Sequence, residues 1–125
     1  MPKTPTLKDI ADAGLIKNDV ELVCVVRGAK TFIDNLNGLD LSSSEYRRYP
    51  ATLKSDGKIH FDGQAYSYPS TAAREVRRQA EGRTDSIPEK TGGWLYWHFK
   101  DQRSGKWCQI EDLRKQAESA PSADL

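Results

Sequence analysis

The chain has 125 residues, 30% of them charged and 37% hydrophobic, with a formal net charge of +1. That length is the usual size of one domain and buries about two-thirds of the unfolded surface. The balance excludes a polycation, and no apolar run reaches the ~18 residues of a spanning helix. Met1-Pro2-Lys3-Thr4-Pro5 leads into no signal-peptide core, so a cytoplasmic protein with no membrane partner is expected.

In chain order, Thr6-Leu7-Lys8-Asp9 has the pattern of a capping box, and Leu7, Ile10 and Ala11 form a helical stripe that Gly14 stops. Leu15 and Ile16 are expected to pin this helix, near 6–13, to the core. Val20 to Arg27 predicts a central strand with Val20, Leu22, Cys24 and Val26 on one face. Residues 28–48, with Asn35-Leu36-Asn37-Gly38 and Ser42-Ser43-Ser44, make a long connection of the kind that is functional or disordered. A short helix from Ser43 or Ser44 is expected to carry Tyr46, Arg47 and Arg48. Phe32, Ile33, Leu36, Leu39 and Leu41 are expected to form a lid over the sheet or a contact to a partner chain, dispensable for folding.

Residues 49–54 and 58–62 predict a hairpin, because Ser55-Asp56-Gly57 supplies the positive φ of a tight turn. Asp62-Gly63 repeats the device before a third strand, Gln64 to Tyr66. Pro69 suits a first helical turn, with Ser67 or Tyr68 before it and Ser70 just inside. Thr71 to Ala80 continues that helix, with Ala72, Ala73 and Val76 inward and Arg74, Arg77 and Arg78 outward; Gly82 ends it. Arg83 to Thr91 is a polar loop, and Gly92-Gly93 precedes a strand at Trp94 to Lys100. After a turn at Gln102 to Gly105, a last helix near 109–117 carries Ile110 and Leu113. Residues 117–125 are expected to fray as a flexible tail.

Little in the chain supports catalysis. Ser67 and Ser70 have no neighbouring histidine, and serines flanking a helix-start proline are caps before they are nucleophiles. Cys24 and Cys108 sit among apolar neighbours and read as buried thiols, and the two histidines and two cysteines have no ligand spacing. No metal or cofactor is therefore expected. Asp56-Gly57-Lys58 has the order of the Asp-x-Lys end of a restriction-nuclease site. A second acid in the usual upstream context is lacking, and a turn accounts for all three residues.

The aromatic run is different. As a strand, residues 94–99 put Leu95, Trp97 and Phe99 on one face and Trp94, Tyr96 and His98 on the other. One face is core. The other is covered by the arginine-bearing helix, or else it places Trp94 beside the helix start at Ser67. There, free amides favour a phosphate and an indole can stack on a base. Basic residues cluster at Arg47-Arg48, at Arg74, Arg77, Arg78 and Arg83, and at Arg103 with Lys106. Acidic residues concentrate elsewhere, at Asp9, Asp12, Asp19, Glu21 and from Asp34 to Glu45. Taken alone, each basic cluster reads as a solvated face.

The segments TLKDIADAGLI (6–16), YPATLKSDGKIHFDGQAYSYPSTAAREV (49–76) and GGWLYWHFK (92–100), in this order, resemble the RAMA domain ("restriction enzyme, adenine methylase associated"). The resemblance spans most of residues 6–27 and 49–114 and leaves 28–48 as an insert. Its two signatures correspond to Ser67-Tyr68-Pro69-Ser70-Thr71-Ala72-Ala73 and Gly93-Trp94-Leu95-Tyr96-Trp97. Tyr68 stands where the family often has a small residue or proline. The resemblance implies a non-enzymatic module that contacts double-stranded DNA, and in some members reads or places N6-methyladenine, in restriction-modification or phage-related settings. On that reading Arg74, Arg77 and Arg78 contact phosphates, Ser67 and Ser70 fix one phosphate, and Trp94 meets a base or sugar. The rival is a protein-interaction subunit or inhibitor that engages a methyltransferase, nuclease or phage or host factor through 28–48. The expected fold is α+β: one domain over 1–116, with a small, mostly antiparallel sheet packed by two to three short helices.

Overall fold

The computed structural model describes residues 6–16, 18–28, 31–82 and 93–119. The expected loop at Arg83 to Thr91, together with Gly92, lies outside them. Elements run α1 (Leu7–Asp12), β1 (Val20–Arg27), β2 (Thr31–Phe32), β3 (Tyr46–Leu53), β4 (Ile59–Phe61), β5 (Gln64–Tyr66) and α2 (Pro69–Ala80). They continue α3 (Gly93–Tyr96), β6 (Trp97–Lys100), β7 (Trp107–Gln109) and α4 (Ile110–Ser119). The strands pair antiparallel in the order β5-β4-β3-β1-β6-β7, with β2 added beside β1. This is the expected α+β arrangement. Among the described residues no helix is long and apolar enough to cross a membrane.

β1 owes its central place to its alternation. Leu22, Cys24 and Val26 are buried on one face and join Ala51, Leu53, Ile59, Phe61 and Trp97 from the other strands. The helices complete this core with Leu7 and Ile10 of α1, Ala72, Ala73, Val76 and Ala80 of α2, and Ile110 and Leu113 of α4. Thr6 caps α1 in the expected box, with Asp9 N donating to Thr6 Oγ1 at 3.2 Å and Thr6 N to Asp9 Oδ2 at 2.8 Å. Gly57, at φ +76°, ends the β3–β4 hairpin against α1, where an added Cβ would lie 2.7 Å from Lys8 Cα. Cys24 is buried, its thiol pushed up by desolvation, whereas Cys108 is only half-buried; both are free.

The other sheet face carries Glu21, Val23 and Val25 of β1, with Arg48, Pro50 and Thr52 opposite them on β3. No helix covers it. Segment 33–41 crosses one end instead. Ile33 N donates to Val25 O at 3.0 Å, and Leu36 and Val25 are both fully buried outside the helix-side core. Phe32 stacks on Tyr96 with centroids 4.8 Å apart.

Several expectations need correction. Tyr46, Arg47 and Arg48 begin β3 and not a helix, because β1 runs on to Arg27 and offers them a pairing partner. Residues 93–96 form one helical turn, so the aromatic run is not a continuous strand and its two-face division fails. Leu95 is 44% exposed where core was expected, while Trp97 is wholly buried as expected. The lid residues include a core member, Leu36. Ala117 packs against the core within α4, so ordered structure extends past the expected start of the tail; 120–125 lie outside the described residues.

These contacts make the described residues 31–48 part of the fold. Leu36→Ala is expected to cost about 2–5 kcal/mol, the range for truncating a buried leucine. Replacing Lys30 to Arg47 with a Gly/Ser linker is expected to abolish the cooperative transition seen in chemical denaturation. Retention of that transition would restore the detachable lid.

Candidate nucleic-acid interface

The helix start that sequence singles out is built by close packing. Gly93 lies so near the first turn of α2 that an added Cβ would sit 2.1 Å from Pro69 C and O and 2.4 Å from Ser70 N. Only hydrogen fits there. One turn later, Trp97 Nε1 donates to Pro69 O at 3.1 Å from within the core. The two signature motifs, far apart in the chain, thus meet at α2. Trp94 follows Gly93 directly and is half-buried. Its ring carries the Arg114 guanidinium 4.6 Å from the centroid, and Arg114 Nε also donates to Glu111 Oε1 at 3.1 Å. One face of the indole therefore already has a cation on it.

The serines do not cap. Tyr68 occupies the N-cap position with no side-chain hydrogen bond to the helix, and is 60% exposed. Ser67 is exposed and lines a small hollow with Tyr68, Thr6, Lys8 and the Asp56–Lys58 turn. Ser70 lies in the first turn.

On α2 the three arginines differ. Arg77 Nε donates to Glu81 Oε2 at 2.8 Å, and Arg78 Nε to Glu75 Oε1 at 2.9 Å. Arg78 holds the Glu75 carboxyl below its usual range, and Glu75 raises Arg78 in return. Arg74 has no ion pair among the described residues, and its Nε is buried without a hydrogen-bond partner. The helix is tied down at its far end, where Arg47 Nη1 reaches Ala80 O at 3.4 Å and Gln79 Nε2 donates to Asp62 Oδ2 at 2.9 Å.

Sequence reasoning missed a second feature, on the helix-free face. A trough of about 670 Å³ runs over Val23, Pro50 and Thr52, with Leu41, Arg48, His60 and Trp107 around it. Its signal was present in the alternation of Arg48, Pro50, Thr52 and, across the hairpin, His60. Trp107 is held there from the backbone: its N–H donates to Asn37 Oδ1 at 2.9 Å and its carbonyl accepts from Asn37 Nδ2 at 3.0 Å. His60 Nε2 meets Asp56 Oδ2 at 2.8 Å. Slight burial opposes the charge on Asp56, but hydrogen bonds from His60 and Lys58 N hold its carboxyl below the usual range.

His98, buried beneath segment 33–41, joins it to the sheet. Nδ1 lies 2.9 Å from Tyr96 O and Nε2 3.2 Å from Asp34 O, which also accepts from Gln109 Nε2 at 2.7 Å. Burial lowers the His98 pKa from its ordinary 6.5, against the pull of those carbonyls. Among the described residues, no group of three or more His, Cys, Asp or Glu is placed to hold a metal. Compared with family models, curated proteins and solved structures, the chain matches none of them.

Two expectations follow. Gly93→Ala should destabilise by about 1–3 kcal/mol through overpacking, although alanine is the better helix former; a thermal midpoint at or above that of the parent would refute the close contact. For His98, the unfolded chain holds the proton more tightly than the folded one. Stability should therefore fall as pH drops through the ordinary 6.5 and level off below the lowered value. Thermal midpoints between pH 7.5 and 5 should show that fall, and His98→Asn should flatten it.

Proposed function

We propose that the chain is a non-enzymatic DNA-binding module, a candidate reader of N6-methyladenine or another modified base in restriction-modification or phage-related biology. The observation that carries this reading is the meeting of the two motifs at the α2 start, with Gly93 against Pro69 and Ser70. That contact sets Trp94 beside the helix N-terminus and Arg74 one turn along, the one α2 arginine of the three without a carboxylate partner among the described residues. A duplex backbone laid along α2 meets Ser67 and Ser70 first, then Arg74, then Arg77 and Arg78 about 5–6 Å further on at the helical rise per residue. Arg77 and Arg78 join by exchanging Glu81 and Glu75 for phosphate.

A protein-interaction role is the second reading. It is favoured by Tyr68 and Leu95, the exposed large hydrophobic side chains among the described residues, which flank the same junction. Engagement through 28–48 would present a surface fixed to the sheet by Asn37 and Asp34.

Binding to duplex oligonucleotides with and without N6-methyladenine, measured across salt, tests the proposal. Each phosphate contact contributes about −0.9 to the log–log slope. Arg74→Ala should weaken binding to all sequences alike and flatten the slope by about one contact, while Glu75→Gln, which frees Arg78 from Glu75, should strengthen it. An unchanged slope in the Arg74→Ala, Arg77→Ala, Arg78→Ala triple variant would remove α2 from the interface and advance the protein-interaction reading.

A further inference from the structure

The geometry points to a second ligand site on the helix-free sheet face: the trough between His60 and Trp107 binds a single-stranded nucleic-acid segment, stacking one base on Trp107. This site lies across the sheet from α2, and its case rests on its own observations.

The first is charge that the fold leaves unused. Strand register puts Arg27, Arg48 and Lys100 on this face, and alternation beyond Leu53 adds Lys54. None of the four has an ion-pair partner among the described residues, whereas Arg77, Arg78 and Arg114 on the helices each have one. Of the acids, Glu21 lies on the trough floor, Asp56 is engaged by His60, and Asp19 and Asp101 line the neighbouring hollow. Arg48 is the cation that lines the trough itself, and Lys100 and Arg103 line the neighbouring hollow beside Trp107. An anionic backbone is drawn to Arg48 and Lys100, and Glu21 keeps phosphate off the floor, where a base would lie.

The second is a rigid aromatic ring at the mouth. Trp107 lines this trough and the neighbouring hollow formed with Phe99, Lys100 and Arg103. Both backbone bonds to Asn37 fix its main chain, and Lys100 Nζ stands 5.9 Å from its ring centroid. A half-exposed indole on a fixed backbone, beside a lysine, is an arrangement on which unpaired bases stack.

The third is shape. Neighbouring strands lie about 4.8 Å apart, so the four steps from β4 to β7 span about 19 Å. That is room for two or three splayed nucleotides on a sheet floor walled at one end by Leu41. A duplex keeps its base faces inside the stack and cannot offer one to Trp107.

The test uses the full chain and ten-nucleotide oligo(dT), oligo(dC) and a matched duplex, with tryptophan fluorescence and anisotropy at low salt. Single strands are expected to bind and quench. Trp107→Ala should cost on the order of tenfold in single-strand affinity, the value of one stacking contact. Arg48→Glu, a charge reversal at an exposed position, should weaken single-strand binding and lower its salt slope with the thermal midpoint unchanged, so the outcome does not depend on whether Trp107→Ala folds. Arg74→Ala should leave single-strand binding intact, which separates failure here from failure of the α2 reading. The proposal is overturned if neither oligo binds, if Arg48→Glu binds as the parent does, if Arg74→Ala removes the binding instead, or if Arg48→Glu weakens duplex and single strand equally.

Discussion

The contact between Gly93, Trp97 and the first turn of α2 sets the relation of helix layer to sheet. Pro69 has no N–H to give, and its carbonyl is taken by the Trp97 indole at 3.1 Å. The same indole is wholly buried and meets Phe61 edge-on, with centroids 5.9 Å apart. One side chain therefore joins β6, β4 and the start of α2. The polar edge of a buried tryptophan must find an acceptor, and a helix carbonyl has a second lone pair to offer besides the one its own helix uses. Because the missing Cβ of Gly93 lets α3 approach, α2 enters the core at one angle, and its arginine stripe faces outward as a consequence. Here a motif that reads as recognition is first of all architecture.

The two faces of the sheet have divided the molecule's charge. On the helix side, cations are met by glutamates three or four residues away on the same helix. On the open side, the strand cations have no such neighbours, because residues three or four apart in a strand do not meet. This follows from the periods of helix and strand and not from composition, which is nearly neutral throughout. Pairing on α2 does not disqualify it as an anion surface. Ion pairs at partly exposed positions are worth about 0–1 kcal/mol, so a phosphate with better geometry displaces the carboxylate at small cost. Arg74 needs no displacement.

Legibility in the sequence tracked how local the determinants are. β1 was readable to its last residue because an eight-residue apolar alternation has one interpretation, and α2 because proline, a small-residue stripe and Gly82 bound it. The hairpin followed from Asp56-Gly57. What could not be read depends on partners distant in the chain. Tyr46-Arg47-Arg48 has no strand signal of its own and is extended because β1 reaches Arg27. Gly93 to Tyr96 has the composition of a strand but turns once as a helix, where Gly93 packs on Pro69 and Ser70. That single turn displaced every facing assigned to Trp94, Leu95 and Tyr96, while Trp97 kept its place. For the candidate site, the α2 residues were nameable from their stripe, but the carboxylate partners of Arg77 and Arg78 went unweighed. The alternation of Arg48, Pro50 and Thr52 marks one open strand face, but the trough also needs the other strands and the crossing segment, which no local pattern announces.

Segment 28–48 shows how one stretch serves fold and surface together. Asn37 pairs its amide with both backbone groups of Trp107, which is how a further strand would treat an edge residue. β7 is the last strand of the sheet, and an uncovered edge is open to unwanted pairing. The amide closes that edge with a single side chain and leaves the Trp107 ring outside the contact. Leu36 brings the same segment down onto the sheet, and Leu41 then stands as a wall of the trough. A shorter connection from β1 to β3 would leave Val25 uncovered, the β7 edge open and Trp107 without its anchor. The length of this segment thus has a physical reason in the sheet it covers, and the surface it creates is a product of the same contacts.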